Sequence, residues 1–155
     1  MKSEIRKVVK EDIADLKMVL DSSELFPSYL LDDMIKDYLT NTLSKDIWFA
    51  TTLQGRPVSI GYCAPERLTE GTYNLYAIAV HKEFQGKGLG KQMMTYIENL
   101  LRSNDHRILI VETSGKAEFK LTRTFYENCE YIRQAIIPEF YAESDDKVVF
   151  WKKLK

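Results

Sequence analysis

Apolar positions in the first half of the chain follow two periods, which predict strands and helices in turn. Runs of β-branched and aromatic residues predict strands at Ile5–Val9, Ile47–Leu53 and Pro57–Cys63, and the last two are separated by Gln-Gly-Arg, which is typical of a hairpin turn. Between the first two strands, apolar residues recur every three or four positions, which predicts two helices that begin near Asp12 and Pro27. This half therefore predicts strand, helix, helix and antiparallel hairpin.

The second half of the chain adds a strand–helix–strand crossover and a closing pair of strands. An apolar run between two polar segments is typical of a strand buried on both faces, and the acidic residues before the last strand predict a loop. The 155 residues are predicted to form one α/β domain, 1–155, of order β-α-α-β-β-β-α-β-α-β-β. The predicted elements are a strand at Tyr73–Val80, a helix from Leu89 to about Arg102, the doubly buried strand Ile108–Glu112, a helix through Leu121, Phe125 and Cys129, and strands at Tyr131–Ile137 and Lys147–Leu154.

Composition and charge exclude several function classes. The chain has 22 Lys and Arg against 23 Asp and Glu, and the formal net charge of −1 gives no bulk attraction to nucleic acid or to anionic membranes. The longest apolar runs are far shorter than the ~20 residues of a membrane-spanning helix. The first residues mix charges where a secretory signal would be apolar. We therefore expect a cytoplasmic protein with no nucleic-acid or membrane partner.

Cys63 and Cys129 are the only cysteines, and they form no CxxC pair and accompany no cluster of histidines. They provide too few ligands for a zinc site and too few thiols for a disulfide framework. We expect both to be buried, reduced thiols, and we predict no metal site.

A segment rich in glycine and lysine, Gln85–Lys91, lies between the strand that ends at Val80 and the helix that follows. Glycines let backbone N–H groups approach an anion, and a helix N-terminus adds a partial positive charge. A P-loop is excluded because Gly90-Lys91 is followed by Gln92 rather than by serine or threonine, and no complete GxGxxG is present. A glycine-rich turn that only starts a helix is the alternative. The segment predicts a site for a phosphate-bearing ligand.

Two motifs resemble a known family, the GNAT acetyltransferases. Gln85-Gly86-Lys87-Gly88-Leu89-Gly90 matches the family's pyrophosphate signature, Gln/Arg-x-x-Gly-x-Gly/Ala, and Phe125-Tyr126-Glu127-Asn128 resembles the family's Phe-Tyr-Glu-Lys. The order of predicted elements is similar to the family over nearly the whole chain. The resemblance implies a central mixed, largely antiparallel sheet of about seven strands with helices on both faces. It also implies an N-acetyltransferase that moves an acetyl group from acetyl-CoA directly to a primary amine of a small molecule or peptide.

The resemblance assigns the cofactor to a strand end and to the glycine segment. Backbone groups of Ile78 and Val80 are implied to pair with the pantetheine arm as an added strand would, and the amides from Gly86 to Lys91 to hold the pyrophosphate. The implied co-substrate is acetyl-CoA. The candidate cofactor-binding residues are Ile78, Ala79, Val80, Gln85, Gly86, Lys87, Gly88, Leu89, Gly90 and Lys91.

One tyrosine, Tyr126, is the catalytic residue that the resemblance implies. It matches the family tyrosine that protonates the leaving thiolate, a role that needs a hydroxyl protonated near neutral pH, as a pKa of ~10 ensures. The alternative is a tyrosine packed in the core with its hydroxyl bonded to backbone.

The resemblance does not assign the general base that takes the proton of the amine. Many family members carry a glutamate at the position of Asn74, and an asparagine side chain cannot act as a base. Glu112, at the end of the strand after the signature helix, is the nearest replacement in chain order, because active sites of open sheets gather at strand ends. Proton loss through ordered water is an equal alternative. Asn74 also keeps open a second function, a non-catalytic module that binds or senses acyl-CoA.

Two acidic segments, Ser22–Thr42 and the predicted loop Glu139–Asp146, are where we expect acceptor specificity. Their carboxylates suit a cationic amine and their aromatic residues suit its apolar part, whereas ordinary solvated charge is the alternative. The acceptor itself stays open, as does the choice between monomer and homodimer. The candidate acceptor-binding residues are Tyr29, Asn74, Tyr141, Asp145 and Asp146.

Overall fold

Seven strands form one mixed sheet in the computed structural model, which describes residues 2–155. The predicted fold class and order of elements are confirmed. The strands are β1 Ser3–Lys7, β2 Ile47–Leu53, β3 Arg56–Pro65, β4 Thr72–Val80, β5 Ile108–Ser114, β6 Ile132–Ala142 and β7 Asp145–Lys153. The α-helices are α1 Ile13–Ser23, α2 Leu31–Thr40, α3 Leu89–Ser103 and α4 Lys120–Asn128.

The strand order across the sheet is β1-β2-β3-β4-β5-β7-β6. Both β1 and β3 pair antiparallel with β2, and both β5 and β6 pair antiparallel with β7. β4 and β5 are parallel, as the crossover through α3 requires. Their ladder joins Thr72–Leu75 to Ile108–Val111, and β4 continues beyond it to Val80. The second half of β4 therefore runs past its ladder with β5 before the glycine segment begins.

The chain forms two compact units, which are described separately. Unit 1 comprises the chain as far as Ala64 together with Tyr76–Ile97, and unit 2 comprises Pro65–Leu75 and Glu98–Lys155. The single domain 1–155 expected from the length stays a prediction. In unit 1, apolar residues three or four positions apart on α1 and α2 pack against β2 and β3, because that spacing puts them on one helix face. The buried set includes Leu16, Val19, Leu20, Leu31, Ile35, Trp48, Ala50 and Ile60.

Asp12, the predicted helix cap, ends a 3-10 turn directly before α1. Its Oδ2 accepts a hydrogen bond from the backbone N–H of Val9 (2.9 Å), and the Arg6 guanidinium donates to both carboxylate oxygens (2.7 and 2.9 Å). These bonds, Arg6 first, lower the pKa of Asp12. β1 ends at Lys7, two residues before the predicted end, because the chain turns here into the segment that Asp12 closes.

Side chains of β5, in unit 2, alternate between two environments. Leu109 and Val111 are buried, whereas Ile110 and Glu112 are partly exposed. The prediction of a strand buried on both faces was therefore wrong, because a short apolar run does not distinguish one buried face from two. The Glu112 side chain consequently lies on a half-open face of the sheet.

The antiparallel hairpin of β6 and β7 replaces most of the predicted acidic loop Glu139–Asp146. β6 runs to Ala142 and β7 begins at Asp145, which leaves a two-residue turn. Across the hairpin, Asp146 Oδ1 of β7 accepts a hydrogen bond from the backbone N–H of Glu139 of β6 (2.9 Å). The loop prediction was wrong because these carboxylates bond to the backbone of the hairpin, so that acidic composition did not mean irregular structure.

The thiols of Cys63 and Cys129 are buried and form no disulfide, as expected. Burial raises the pKa of Cys63 to about 12, so that this thiol stays protonated at neutral pH. Within residues 2–155, none of the helices combines the length and the apolar character needed to cross a membrane.

Candidate functional site

The glycine segment Gln85–Lys91 has a backbone that only glycine adopts without strain at two positions. Gly86 and Gly88 have φ values of +76° and +82°, in the left-handed region. A Cβ atom added at either position would meet no atom within 4 Å. Glycine is therefore required by the backbone conformation, and the space around both residues is open to a ligand.

α3 begins within this segment, so the segment ends at a helix N-terminus. The backbone N–H of Gln92 donates to the carbonyl of Gly88 (3.0 Å), the first bond of the helical pattern. The amides before it have no intrahelical acceptor and carry the positive end of the helix dipole. Lys87 and Lys91 are exposed on either side of Gly88 and Leu89. Backbone donors and two cations thus meet in one place, which suits an anion such as a phosphate group.

Side-chain bonds hold the glycine segment in this shape. Gln85 Nε2 donates to the carbonyl of Val80 (2.9 Å), which closes the turn between β4 and the segment. The backbone N–H of Lys82 donates to Ser22 Oγ (3.1 Å), and the Lys87 ammonium lies 5.6 Å from the centroid of the Phe84 ring. The Gln85 side-chain amide therefore shapes the turn, and its role in binding the cofactor stays a prediction.

The three strand residues implied to face the pantetheine arm lie at the end of β4. Ile78 and Val80 are partly exposed, and Ala79 between them is buried. All three follow the β4–β5 ladder, which ends at Leu75. Ile78 and Val80 are therefore not paired with β5, which leaves backbone groups for strand-like pairing with a ligand.

Tyr126 lies on α4 and is 5% exposed. Its ring centroid lies 5.6 Å from that of Phe150 and 6.2 Å from that of Tyr131. Burial, and then the nearby thiol of Cys129, raise the pKa of the Tyr126 hydroxyl well above its usual range. The hydroxyl therefore carries its proton throughout the neutral range, as a donor to a thiolate must.

Asn74 and Glu112, two candidates from neighbouring strands, are in direct contact. Asn74 Nδ2 donates to Glu112 Oε1 (3.0 Å) and also to Glu66 Oε1 (2.8 Å). The Asn74 side chain is buried, and its Oδ1 has no hydrogen-bond partner among residues 2–155. A buried carbonyl oxygen without a donor is costly and is suited to a donor that a ligand or a water brings.

Lys147, at the start of β7, forms an ion pair with Glu112 Oε2. Its side chain is only 12% exposed, and its Nζ lies 3.9 Å from the centroid of the Phe140 ring. Glu112 is thus engaged at both oxygens, by an amide and by an ammonium. We call the four residues Glu66, Asn74, Glu112 and Lys147 the polar cluster; all four belong to unit 2.

The remaining acceptor candidates lie in different surroundings. Burial, followed by the charges of Glu112 and Asp145, raises the pKa of Tyr141. Asp145 accepts a hydrogen bond from the Ser114 hydroxyl, and Asp146 bonds to the hairpin backbone. Tyr29 is 74% exposed on unit 1, in the turn before α2.

Glu66 and Lys147 are the members of the polar cluster that the sequence analysis missed. Asn74 and Glu112 lie on the same face of two adjacent parallel strands, because Asn74 pairs with Ile110 and Glu112 follows two residues later. Lys147 joins them only through the β5–β7 register, in which it lies opposite Ser114. That register joins residues far apart in sequence, and no local pattern specifies it.

Comparisons with known proteins agree on one family. The family model for the acetyltransferase (GNAT) domain matches residues 44–133. A GNAT-family protein of known structure from Desulfovibrio desulfuricans has 25% sequence identity and a TM-score of 0.93, over 99% of this chain and 100% of that chain. No curated protein sequence matches this chain.

Two further solved structures are similar in fold. The Salmonella typhimurium protein yncA, solved with its cofactor acetyl-CoA, has 15% identity and a TM-score of 0.81, over 100% of this chain and 95% of that one. The ribosomal-protein-S18-alanine N-acetyltransferase from Escherichia coli has 15% identity and a TM-score of 0.80, over 99% and 95%.

The family match covers more than half of the chain and includes the glycine segment, Asn74, Glu112 and Tyr126. This chain belongs to the GNAT acetyltransferase family, and the resemblance drawn from its two motifs is confirmed. Lys147 lies beyond the matched residues, in the part of the chain that the family model does not describe.

Proposed function

We propose that this protein is an acetyl-CoA-dependent N-acetyltransferase that transfers the acetyl group directly to a primary amine of a small molecule or peptide. The observation that carries the proposal is the segment Gln85–Lys91, where two glycines of positive φ lead into the N-terminus of α3. Backbone N–H groups in this arrangement bind phosphate. Family membership supplies the class of reaction, acetyl transfer.

Acetyl-CoA is the co-substrate in this proposal. Its pyrophosphate binds the amides between Gly86 and Lys91, with Lys87 and Lys91 adding positive charge. The backbone of Ile78 and Val80 pairs with the pantetheine arm, since β4 runs on past its ladder with β5. The acetyl-CoA bound to yncA supports the same co-substrate here.

The chemical step needs one proton donor and one proton acceptor. The amine nitrogen attacks the acetyl carbon, the carbon–sulfur bond breaks, and the leaving thiolate takes the proton of the Tyr126 hydroxyl. The match of Phe125-Tyr126-Glu127 to the family motif supports this role, and the Tyr126 hydroxyl carries the proton that the role needs. The amine's own proton goes to Glu112 or to ordered water.

The acceptor is an amine, and the orphaned oxygen of Asn74 supports this choice. An amine brings N–H donors, which Asn74 Oδ1 lacks among the described residues. Tyr141 and Asp145 provide an aromatic ring and a negative charge near Glu112, and this composition favours a cationic acceptor. Asp146, which lines a separate cleft with Gly115, Arg123 and Glu127, is proposed as a further acceptor contact. Tyr29 is proposed as a further acceptor contact, on unit 1.

The test compares acetyl-CoA binding with thiol release. Acetyl-CoA alone should raise the melting temperature, because a ligand that binds the folded state stabilises it. A panel of primary amines should then include at least one that accelerates release of the free thiol. Binding without amine-dependent release would favour the non-catalytic acyl-CoA module, and absence of binding would contradict both functions.

A further inference from the structure

The Glu112 carboxylate is held by side chains from strands on both sides of β5. Asn74 of β4 donates to Oε1 (3.0 Å), and Lys147 of β7 forms an ion pair with Oε2. Lys147 is itself fixed, since its Nζ lies 3.9 Å from the ring centroid of Phe140, a cation–π contact. The Glu112 side chain remains 24% exposed, so a substrate can reach it.

The orientation of the Asn74 amide is determined by its neighbours. Nδ2 donates to one oxygen each of Glu66 and Glu112. In the opposite orientation, Oδ1 would face two carboxylate oxygens, which is repulsive. A glutamate at position 74 would bring a third carboxylate against the same two. Asparagine at 74 and glutamate at 112 therefore belong to one arrangement, in which Asn74 is the donor and Glu112 the carboxylate.

Lys147 supplies the positive charge that this arrangement needs. Glu66 and Glu112 approach the same amide nitrogen, and two carboxylates at such a distance repel each other. The ammonium of Lys147 offsets that repulsion at Glu112 and fixes the direction of its Oε2. A carboxylate that is held in one orientation and is partly exposed can accept a proton from a bound amine.

We propose that Lys147 is a positioning residue for acetyl transfer, and that it acts by holding the Glu112 carboxylate where it accepts the proton of the acceptor amine. The inference rests on the proposed function and selects Glu112 over ordered water. The amine proton passes to Glu112, the carbon–nitrogen bond forms, the carbon–sulfur bond breaks, and the thiolate takes the proton of Tyr126. Lys147 keeps its own proton throughout.

The first test uses Lys147→Met, Lys147→Arg and Lys153→Met with an amine that the wild-type protein acetylates. Lys147→Met should lower kcat by about tenfold or more while leaving the KM for acetyl-CoA unchanged, because orientation acts on the chemical step. Lys147→Arg should retain most of the activity, since it keeps the charge. Lys153, exposed on the same strand, is the matched control, and Lys153→Met should leave kcat unchanged. Lys147→Gln replaces the methionine variant if that variant does not fold.

The second test is a double-mutant cycle, which asks whether Lys147 acts through Glu112. Glu112→Gln should lower kcat by about a hundredfold, within the range of a lost general base. In that background, Lys147→Met should cause little further loss. An equal loss in both backgrounds, an unchanged kcat in Lys147→Met, or full activity of Glu112→Gln would overturn the inference while wild-type acetyl transfer stands. A wild-type protein that acetylates no amine would overturn the proposed function and, with it, the inference.

Discussion

The glycine segment of unit 1 offers backbone groups to a ligand, whereas the polar cluster of unit 2 offers side chains. The segment Gln85–Lys91 presents backbone N–H groups, whose positions follow from two glycine φ values and the start of a helix. The cluster presents side chains from separate strands, and each of Asn74, Glu112 and Lys147 depends on another for its orientation. A backbone site fails when the backbone or the space around it changes, whereas a side-chain cluster fails when a single charge is lost.

Filling the space beside the backbone donors should have the largest effect on binding. In Gly88→Asp, a carboxylate enters the space that a phosphate needs, at a residue with φ of +82°. Affinity for acetyl-CoA should fall by more than about a hundredfold, since charge-assisted hydrogen bonds contribute ~1.5–3 kcal/mol each. Thermal unfolding with and without acetyl-CoA measures the effect as loss of the stabilising shift.

Gly55→Asp is the matched control for this change. Gly55 has φ of +79°, and an added Cβ would again meet no atom within 4 Å, but it lies in the turn between β2 and β3. The backbone strain and the added charge are therefore similar. The control variant should keep the acetyl-CoA shift. Equal loss of the shift in both variants would mean that strain or net charge, and not the segment, explains the result.

Removing one hydroxyl should separate chemistry from binding. Tyr126→Phe should lower kcat by ~10²–10⁴-fold, the usual contribution of a positioned proton donor, and leave acetyl-CoA affinity nearly unchanged. Steady-state kinetics beside direct binding measurements distinguish the two. Wild-type kcat in the phenylalanine variant would leave Tyr126 as a core tyrosine only.

Tyr131→Phe removes the same atom from the neighbouring ring. The Tyr131 hydroxyl donates to the buried Glu98 carboxylate (2.7 Å), which also pairs with Lys152 (3.0 Å). Its loss should reduce the free energy of unfolding by about 1–3 kcal/mol, because a buried carboxylate loses a donor. The kcat should change little. Loss of the same hydroxyl group should therefore lower kcat at Tyr126 and the free energy of unfolding at Tyr131.

The conformation of the glycine segment could be predicted because its determinants are contiguous. Seven residues contain the glycines, the flanking lysines and the helix start, so a local pattern predicts the conformation and proposes the ligand class. Tyr126 was likewise named as a candidate from a short motif, and its role stays a prediction. Asn74 and Glu112 were named, but the contact between them follows from the β4–β5 register.

The role of Lys147 in the polar cluster and the observed ends of the strands could not be predicted from a local sequence pattern. Lys147 follows two aspartates that predict a loop, and its contact with Glu112 depends on strand pairing across more than thirty residues of sequence. The ends of β6 and β7 are extended by side-chain bonds to the backbone, such as that of Asp146, and β1 is shortened by the turn that Asp12 closes. The strand pairing at Lys147 and the side-chain bonds to nearby backbone at Asp12 and Asp146 both override local propensity.

The smallest effect is expected at Asp146, at the outer end of the hairpin. In Asp146→Asn, the amide oxygen still accepts the bond from the Glu139 N–H, so the variant removes charge and keeps the hairpin. The acceptor KM should rise only about twofold to threefold, since partly exposed charges contribute up to ~1 kcal/mol, and the rise should fade with added salt. Asp145→Asn should behave similarly, with Glu118→Gln as a control that removes one exposed charge on another element. Steady-state kinetics at low and high salt would decide the point. Equal acceptor KM values in wild type and both asparagine variants would mean that Asp145 and Asp146 are ordinary solvated surface charges.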